Sequence, residues 1–94
     1  MPLERKVPIL YWKGLHAWAA HQFATAAKAY ASDIQLAALG RTVNGKSIID
    51  ILTLGAGAGV ELTILAEGPD AEVAVDTLAT LVQDNFGEAQ KDGD

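Results

Sequence analysis

Few residues of this chain have the type and setting for chemistry, and His16 leads them. It stands in the stretch GLHAWAAH, Gly14–His21, just ahead of an alanine-rich run. Where a helix begins, the first backbone N–H groups lack partners and favour an anion. A neutral imidazole placed there can accept a phosphoryl group while those donors hold its oxygens. His21 lies inside the same run and reads as a surface or interface histidine. Its five-residue offset from His16 puts the two rings on different faces of a helix, which argues against a zinc pair. The chain has no cysteine, so it offers no disulfide framework and no thiolate metal site.

Three other patterns invite chemistry and do not carry it. GRTVNGKS, Gly40–Ser47, matches the phosphate-loop pattern letter for letter. Such a loop needs a buried strand before it and a long helix after it. Here the interior of the match is itself strand-like and the helix after it is short. GAGAG, Gly55–Gly59, lacks the spacing of a dinucleotide loop and is followed by a strand, so it reads as a connector. Glu72 and Asp76 fall on the solvated face of a helix and read as surface charge rather than an acid/base pair.

The elements that must position His16 follow from periodicity. Lys6–Leu10 alternates and predicts a first strand. Ala17–Tyr30 predicts a helix, with Ala20, Phe23, Ala27 and Tyr30 on its buried face. Asp33–Ala38 and Arg41–Asn44 form a hairpin turned at Gly40. Ser47 and Asp50 make a capping box that opens a short helix over Ser47–Thr53. Val60–Glu67 is a strand with Leu62, Ile64 and Ala66 inward. Asp70 caps a last helix, Asp70–Phe86, with an apolar stripe at Ala71, Ala74, Val75, Leu78, Leu81 and Val82. Gly87 ends it. The order β-α-β-β-α-β-α predicts an α+β two-layer sandwich with helices on one face of the sheet. Gln35, Glu61 and Thr63 mark the open face.

The 94 residues and their 50% apolar content suit one domain, expected over 1–94 with an ordered core at about 5–87 and an acidic tail at 88–94. The net charge is −5, unevenly spread. Arg5, Lys6, Lys13, Lys28, Arg41 and Lys46 face only Glu4 and Asp33 in the first half, whereas the second half is acidic. The first half can receive an anion or an acidic partner. The whole repels nucleic acid, and no basic stripe with interleaved aromatics is present. The apolar runs are too short and interrupted for a secretory leader or membrane span, so a cytoplasmic protein without a cofactor is expected.

Three segments together resemble a known family. GLHA before an alanine-rich helix, NGKSI opening the short helix, and GVELTILAEGPDAEVAVDTL running strand into helix resemble HPr, the histidine-containing phosphocarrier of the bacterial sugar phosphotransferase system. The resemblance runs from about Lys6 to Gly87. It implies an open-faced sandwich with an antiparallel sheet in the order 1-4-2-3 and three helices. It implies His16 as phosphoryl acceptor, Ser47 as a serine that a kinase modifies in some members, and Ile48, Ile49 and Leu52 as a docking patch. It also implies a carrier rather than an enzyme, loaded by Enzyme I and unloaded by sugar-specific acceptors.

The departures cluster at the site. The family motif is G-L-H-A-R-P-A, and this chain has Trp18 for the arginine and Ala19 for the proline. Lys13 stands where a small polar residue is usual, and Tyr11 and Trp12 precede it. A guanidinium offers phosphate charge-assisted, bidentate hydrogen bonds, whereas indole offers one neutral donor. The leading expectation is therefore a protein-binding module on an HPr-like scaffold, engineered or degenerate, with an impaired His16. Tyr11, Trp12 and Trp18 would anchor a protein partner, with His21, Ile48, Ile49 and Leu52 completing the contact. Tyr11 alone is left open to an inward turn. The alternative is a working phosphocarrier that accepts phosphate on His16 from Enzyme I.

Overall fold

In the computed structural model, which describes residues 2–88, alternation decides the centre of the sheet. The elements are β1 (Leu3–Pro8), α1 (Ala17–Ala27), β2 (Asp33–Ala38), β3 (Arg41–Asn44), α2 (Ile48–Leu52), β4 (Glu61–Glu67), α3 (Ala71–Gln83) and a 3-10 turn, Asn85–Gly87. Leu62, Ile64 and Ala66 of β4 are fully buried, and β4 pairs antiparallel with β1 on one side and β2 on the other. β3 completes the sheet antiparallel to β2, in the order β1-β4-β2-β3. That is the order the resemblance implies. Val7, Ile34, Leu36, Leu62 and Ile64 share one core with Phe23 of α1, Ile51 of α2 and Leu78 of α3. The opposite face stays open, with Gln35 and Glu61 exposed and Thr63 and Leu65 partly covered.

The tip of the β2–β3 hairpin is a two-residue loop, with Leu39 at φ 54° and Gly40 at φ 81°. Both values are those of the type I′ turn that matches strand twist. Arg41–Asn44 is therefore paired strand, and Lys46 donates to the Tyr30 carbonyl at 2.8 Å. The phosphate-loop match is a paired strand between two short turns.

Element ends shift for identifiable reasons. β1 begins at Leu3, ahead of the expected Lys6, because its pairing with β4 runs from Leu3–Ala66 to Pro8–Glu61. α1 stops at Ala27 rather than Tyr30: Ala29 and Tyr30 turn into tighter bonds to the Ala26 and Ala27 carbonyls. α2 is Ile48–Leu52, with Ser47 as its N-cap accepting from the Asp50 amide at 3.2 Å. That is one half of the expected capping box. The Ser47 amide goes instead to the Asn44 carbonyl. α3 ends at Gln83, because Asn85 and Phe86 adopt φ near 55° and 58° and carry the Phe86 ring into the core. Of the acidic tail, residues 89–94 lie outside the described residues.

Asp70 starts α3 without capping it through its side chain. Its carboxylate instead accepts from the Ser32 hydroxyl at 2.6 Å, the Ala31 amide at 2.9 Å and the Ser32 amide at 3.0 Å. These bonds, the Ser32 hydroxyl foremost, hold the Asp70 carboxyl below its ordinary range. The linkage sign follows: a depressed folded pKa stabilises fully above the unfolded value, about 3.9, and the benefit fades as pH falls through the folded value. Urea unfolding of Asp70→Asn should show a deficit against the parent that is constant at neutral pH and shrinks below about pH 4. A deficit independent of pH would contradict the charge-assisted clip.

Candidate functional site around His16

The site begins where β1 runs out. Alternation continues past Pro8, so that Val7, Ile9 and Tyr11 all point inward while Leu10 and Trp12 point out. Ile9 exchanges backbone bonds with the next loop, its amide to Val60 and its carbonyl from Gly59. The chain then turns at Tyr11–Gly14, with the Gly14 amide on the Tyr11 carbonyl at 2.9 Å. Leu15 donates to Ala56 at 2.9 Å. The Gly55–Gly59 segment, the connector from α2 to β4, is thus also the wall that holds the histidine loop.

His16 is the N-cap of α1, extended at φ −99° and ψ −169°, and its carbonyl accepts from Ala20. Its imidazole does not cap the helix, and α1 has no acid in its first turn. The opening amides of α1 therefore remain free beside the ring, with the partial positive charge of a helix start. Nε2 of the ring is buried without a hydrogen-bond partner. Nδ1 is the ring nitrogen left to solvent.

Tyr11 is the hub beneath. It stacks on His16 at 6.0 Å between centroids and 17° between planes, meets Trp18 at 5.8 Å, and takes the edge of Phe86 at 5.9 Å. Burial, then a hydrogen bond to the Glu88 carboxylate and its charge, push the Tyr11 hydroxyl above the usual tyrosine range. The expectation that Tyr11 is an exposed anchor is corrected: it is 3% exposed. An aromatic continuing an inward alternation has nowhere else to go. Phe86 and Glu88 escaped the sequence reading, since neither adjoins His16 in the chain. An isolated phenylalanine after a polar run was the available signal for the first.

The other expected site residues sit as follows. Trp12 is 74% exposed, with the Lys13 ammonium 5.0 Å over its ring. Trp18 is 37% exposed and leans on Tyr11 rather than standing free. His21 is exposed, one turn beyond Trp18 on α1. α2 packs against α1 and offers Ile49 and Leu52 to solvent, with Ile48 half-buried and Ser47 at its cap. A groove of about 600 Å³ lined by Asp33, Gln35, Thr42, Asn44 and Glu67 contains none of these residues. Among the described residues no His, Asp and Glu group is arranged to hold a metal ion, and no helix is long and apolar enough to cross a membrane.

Comparison with known proteins decides between the two readings. A family model described as the PTS HPr component phosphorylation site matches residues 3–84. The phosphocarrier protein HPr of Cupriavidus necator is 35% identical over 94% of this chain and 99% of its own length. That of Vibrio cholerae is 40% identical over 84% and 93% respectively. A crystal structure of HPr from Thermoanaerobacter tengcongensis superposes with a TM-score of 0.87 at 35% identity, covering 94% of this chain and 99% of that one. The family model spans the histidine segment, and the two relatives are named phosphocarriers. The expectation of an engineered or degenerate protein-binding module is overturned. The aromatics gave it false support: two of the three pack on each other, and the third carries a lysine on its face. The chain belongs to the HPr family of phosphocarrier proteins.

Proposed function

We propose that the chain is a cytoplasmic histidine phosphocarrier, taking a phosphoryl group on His16 from Enzyme I and giving it to sugar-specific acceptors. One observation carries the reading: the imidazole stands at the open start of α1 with Nε2 buried and Nδ1 outward. In the step, the Nδ1 lone pair attacks phosphorus and the bond from phosphorus to the donor's leaving group breaks. The electron pair departs with that group, and Nε2 keeps the ring proton. The free α1 amides hold the phosphoryl oxygens. Trp18 supplies no charge there, so transfer is slower than an arginine would allow.

Partners reach the ring across the rim formed by Trp12, Trp18, His21, Ile48, Ile49 and Leu52. Such a rim of aromatic and aliphatic side chains around a polar centre suits brief protein contacts. Ser47 is the candidate regulatory position. A phosphate on its hydroxyl would replace the bond from the Asp50 amide and place a dianion beside Ile48 and Ile49, against any acidic partner.

The test is incubation with Enzyme I and phosphoenolpyruvate, followed by mass spectrometry that preserves phosphohistidine. The expected product carries one phosphoryl group on His16, and His16→Gln carries none. Modification of His21, or equal labelling of parent and His16→Gln, would contradict the reading.

A further inference from the structure

We infer that Lys13 supplies the positive charge for phosphoryl transfer at His16, its ammonium swinging from the face of Trp12 onto the oxygens of the incoming group. This rests on the phosphocarrier reading above. A bound phosphoryl group is close to a dianion, and the free amides of α1 set only partial positive charge against it. Trp18 adds none. Among the described residues, five of the six lysines and arginines are committed or remote. Arg5 pairs with Asp76, Arg41 bonds Thr53, and Lys46 bonds the Tyr30 carbonyl. Lys6 lies opposite Thr63 on the open face of the sheet. Lys28 caps the far end of α1, eleven residues and about 16 Å along the helix.

Lys13 is left, and it stands in the histidine loop itself. The Tyr11–Gly14 turn holds it, and the His16 amide donates to the Gly14 carbonyl at 3.0 Å, so a second tight turn follows directly. Three Cα steps of about 3.8 Å bound the separation of Lys13 and His16 before either turn shortens it. A lysine stem and an imidazole bearing a phosphoryl group cover that span together. Lys13 is exposed, and no carboxylate occurs from Ile9 to His16 or in the first turn of α1. Glu88, which the C-terminal turn brings beside Tyr11, is taken by the Tyr11 hydroxyl. What holds the ammonium is the Trp12 ring, 5.0 Å away at its centroid. An exposed cation–π contact is a weak hold. It keeps the charge beside the loop and yields it to an anion that offers stronger, charge-assisted bonds. Lysine brings a compact charge with rotatable donors rather than a planar fork.

The experiment measures the rate at which His16 is loaded by two donors. One is Enzyme I with phosphoenolpyruvate. The other is potassium phosphoramidate, which needs no docking surface: its P–N bond breaks, ammonia leaves, and a new P–N bond forms to the ring. Lys13→Gln should load about tenfold more slowly than the parent from both donors. Lys13→Arg, which keeps the charge, should stay within about threefold of the parent. Slowing with Enzyme I alone would make Lys13 a docking residue and overturn the proposal, as would equal rates for Lys13→Gln and the parent. A second measurement needs no variant. Magnetic resonance of the parent should show the Lys13 ε-methylene protons shifted upfield by the indole, and the shift lost once His16 is phosphorylated. A shift that survives phosphorylation overturns the swing, whether or not Lys13→Gln folds. A parent loaded by phosphoramidate but not by Enzyme I refutes the carrier reading, while the phosphoramidate rates still judge Lys13. Loading of His16 by neither donor overturns both.

Discussion

Trp18→Arg should accelerate phosphoryl transfer from Enzyme I to His16 about ten- to a hundredfold. The substitution adds a fork of charged donors one residue into α1, beside the outward Nδ1. Charge-assisted hydrogen bonds contribute about 1.5–3 kcal/mol net, and each 1.36 kcal/mol is about tenfold in rate. The opening amides of α1 are already present, so the guanidinium adds to them rather than building a site anew. The same change removes the indole from Tyr11, a ring contact at 5.8 Å, which should cost about 0.5–1.5 kcal/mol of stability. Transfer rate and unfolding midpoint should therefore move in opposite directions. Stopped-flow or quench-flow transfer with urea unfolding on the same samples reads both. A variant that is no faster than the parent would mean that charge does not limit this site.

The second large effect belongs to Gly14→Ala, which should lose about 2–4 kcal/mol of stability and take transfer down with it. Gly14 has φ +68°, and a Cβ built there would lie 2.7 Å from the Gly57 Cα and 2.9 Å from the Ala56 carbonyl oxygen. Those are backbone atoms of the wall that holds Leu15, so they cannot swing aside as a side-chain end would. Gly55 provides the control, because it has φ +62° and nothing within 4 Å of its Cβ position. Gly55→Ala should lose only the conformational part, about 1 kcal/mol. The difference between the two variants isolates the close approach of the histidine loop to the wall. Equal losses would show that backbone conformation alone, and not contact with Gly57, makes Gly14 necessary.

Much of the scaffold was legible because its signals are local. Leu62, Ile64 and Ala66 alternate, and Ala71, Ala74, Val75, Leu78 and Val82 recur at helical spacing; all are buried as those periods require. Leu39 and Gly40 fall between two strand patterns, where a hairpin needs a tight turn. Illegible features depend on partners distant in the chain. Asp70 has the residue type of a helix cap, but Ser32, thirty-eight positions away, takes its carboxylate. Phe86 has no local reason to adopt a left-handed backbone; burial against Tyr11 supplies it. Gly55–Gly59 looks like slack chain until Gly14 and Leu15 lie against it.

At the site itself, the position of His16 was readable and the orientation of its neighbours was not. Tyr11 was the decisive case. Its place in the alternation Val7, Ile9, Tyr11 signalled an inward turn, yet its nearness to Trp12 and Trp18 suggested one exposed aromatic surface. Periodicity outranked proximity. With Tyr11 inside and Trp18 lying against it, the apparent triad of anchors reduces to Trp12 and the exposed part of Trp18 at the rim. The substitution at position 18 is then a change in a phosphocarrier's electrostatics rather than the making of a new binding surface.

The claim that this chain carries phosphate between proteins is tested most directly by relay. The chain is loaded with radiolabelled phosphate by Enzyme I, freed of donor, and mixed with a sugar-specific acceptor protein. The account predicts that label leaves His16 and appears on the acceptor, and that His16→Gln moves none. Label that stays on the chain, or reaches the acceptor equally through His16→Gln, would contradict it.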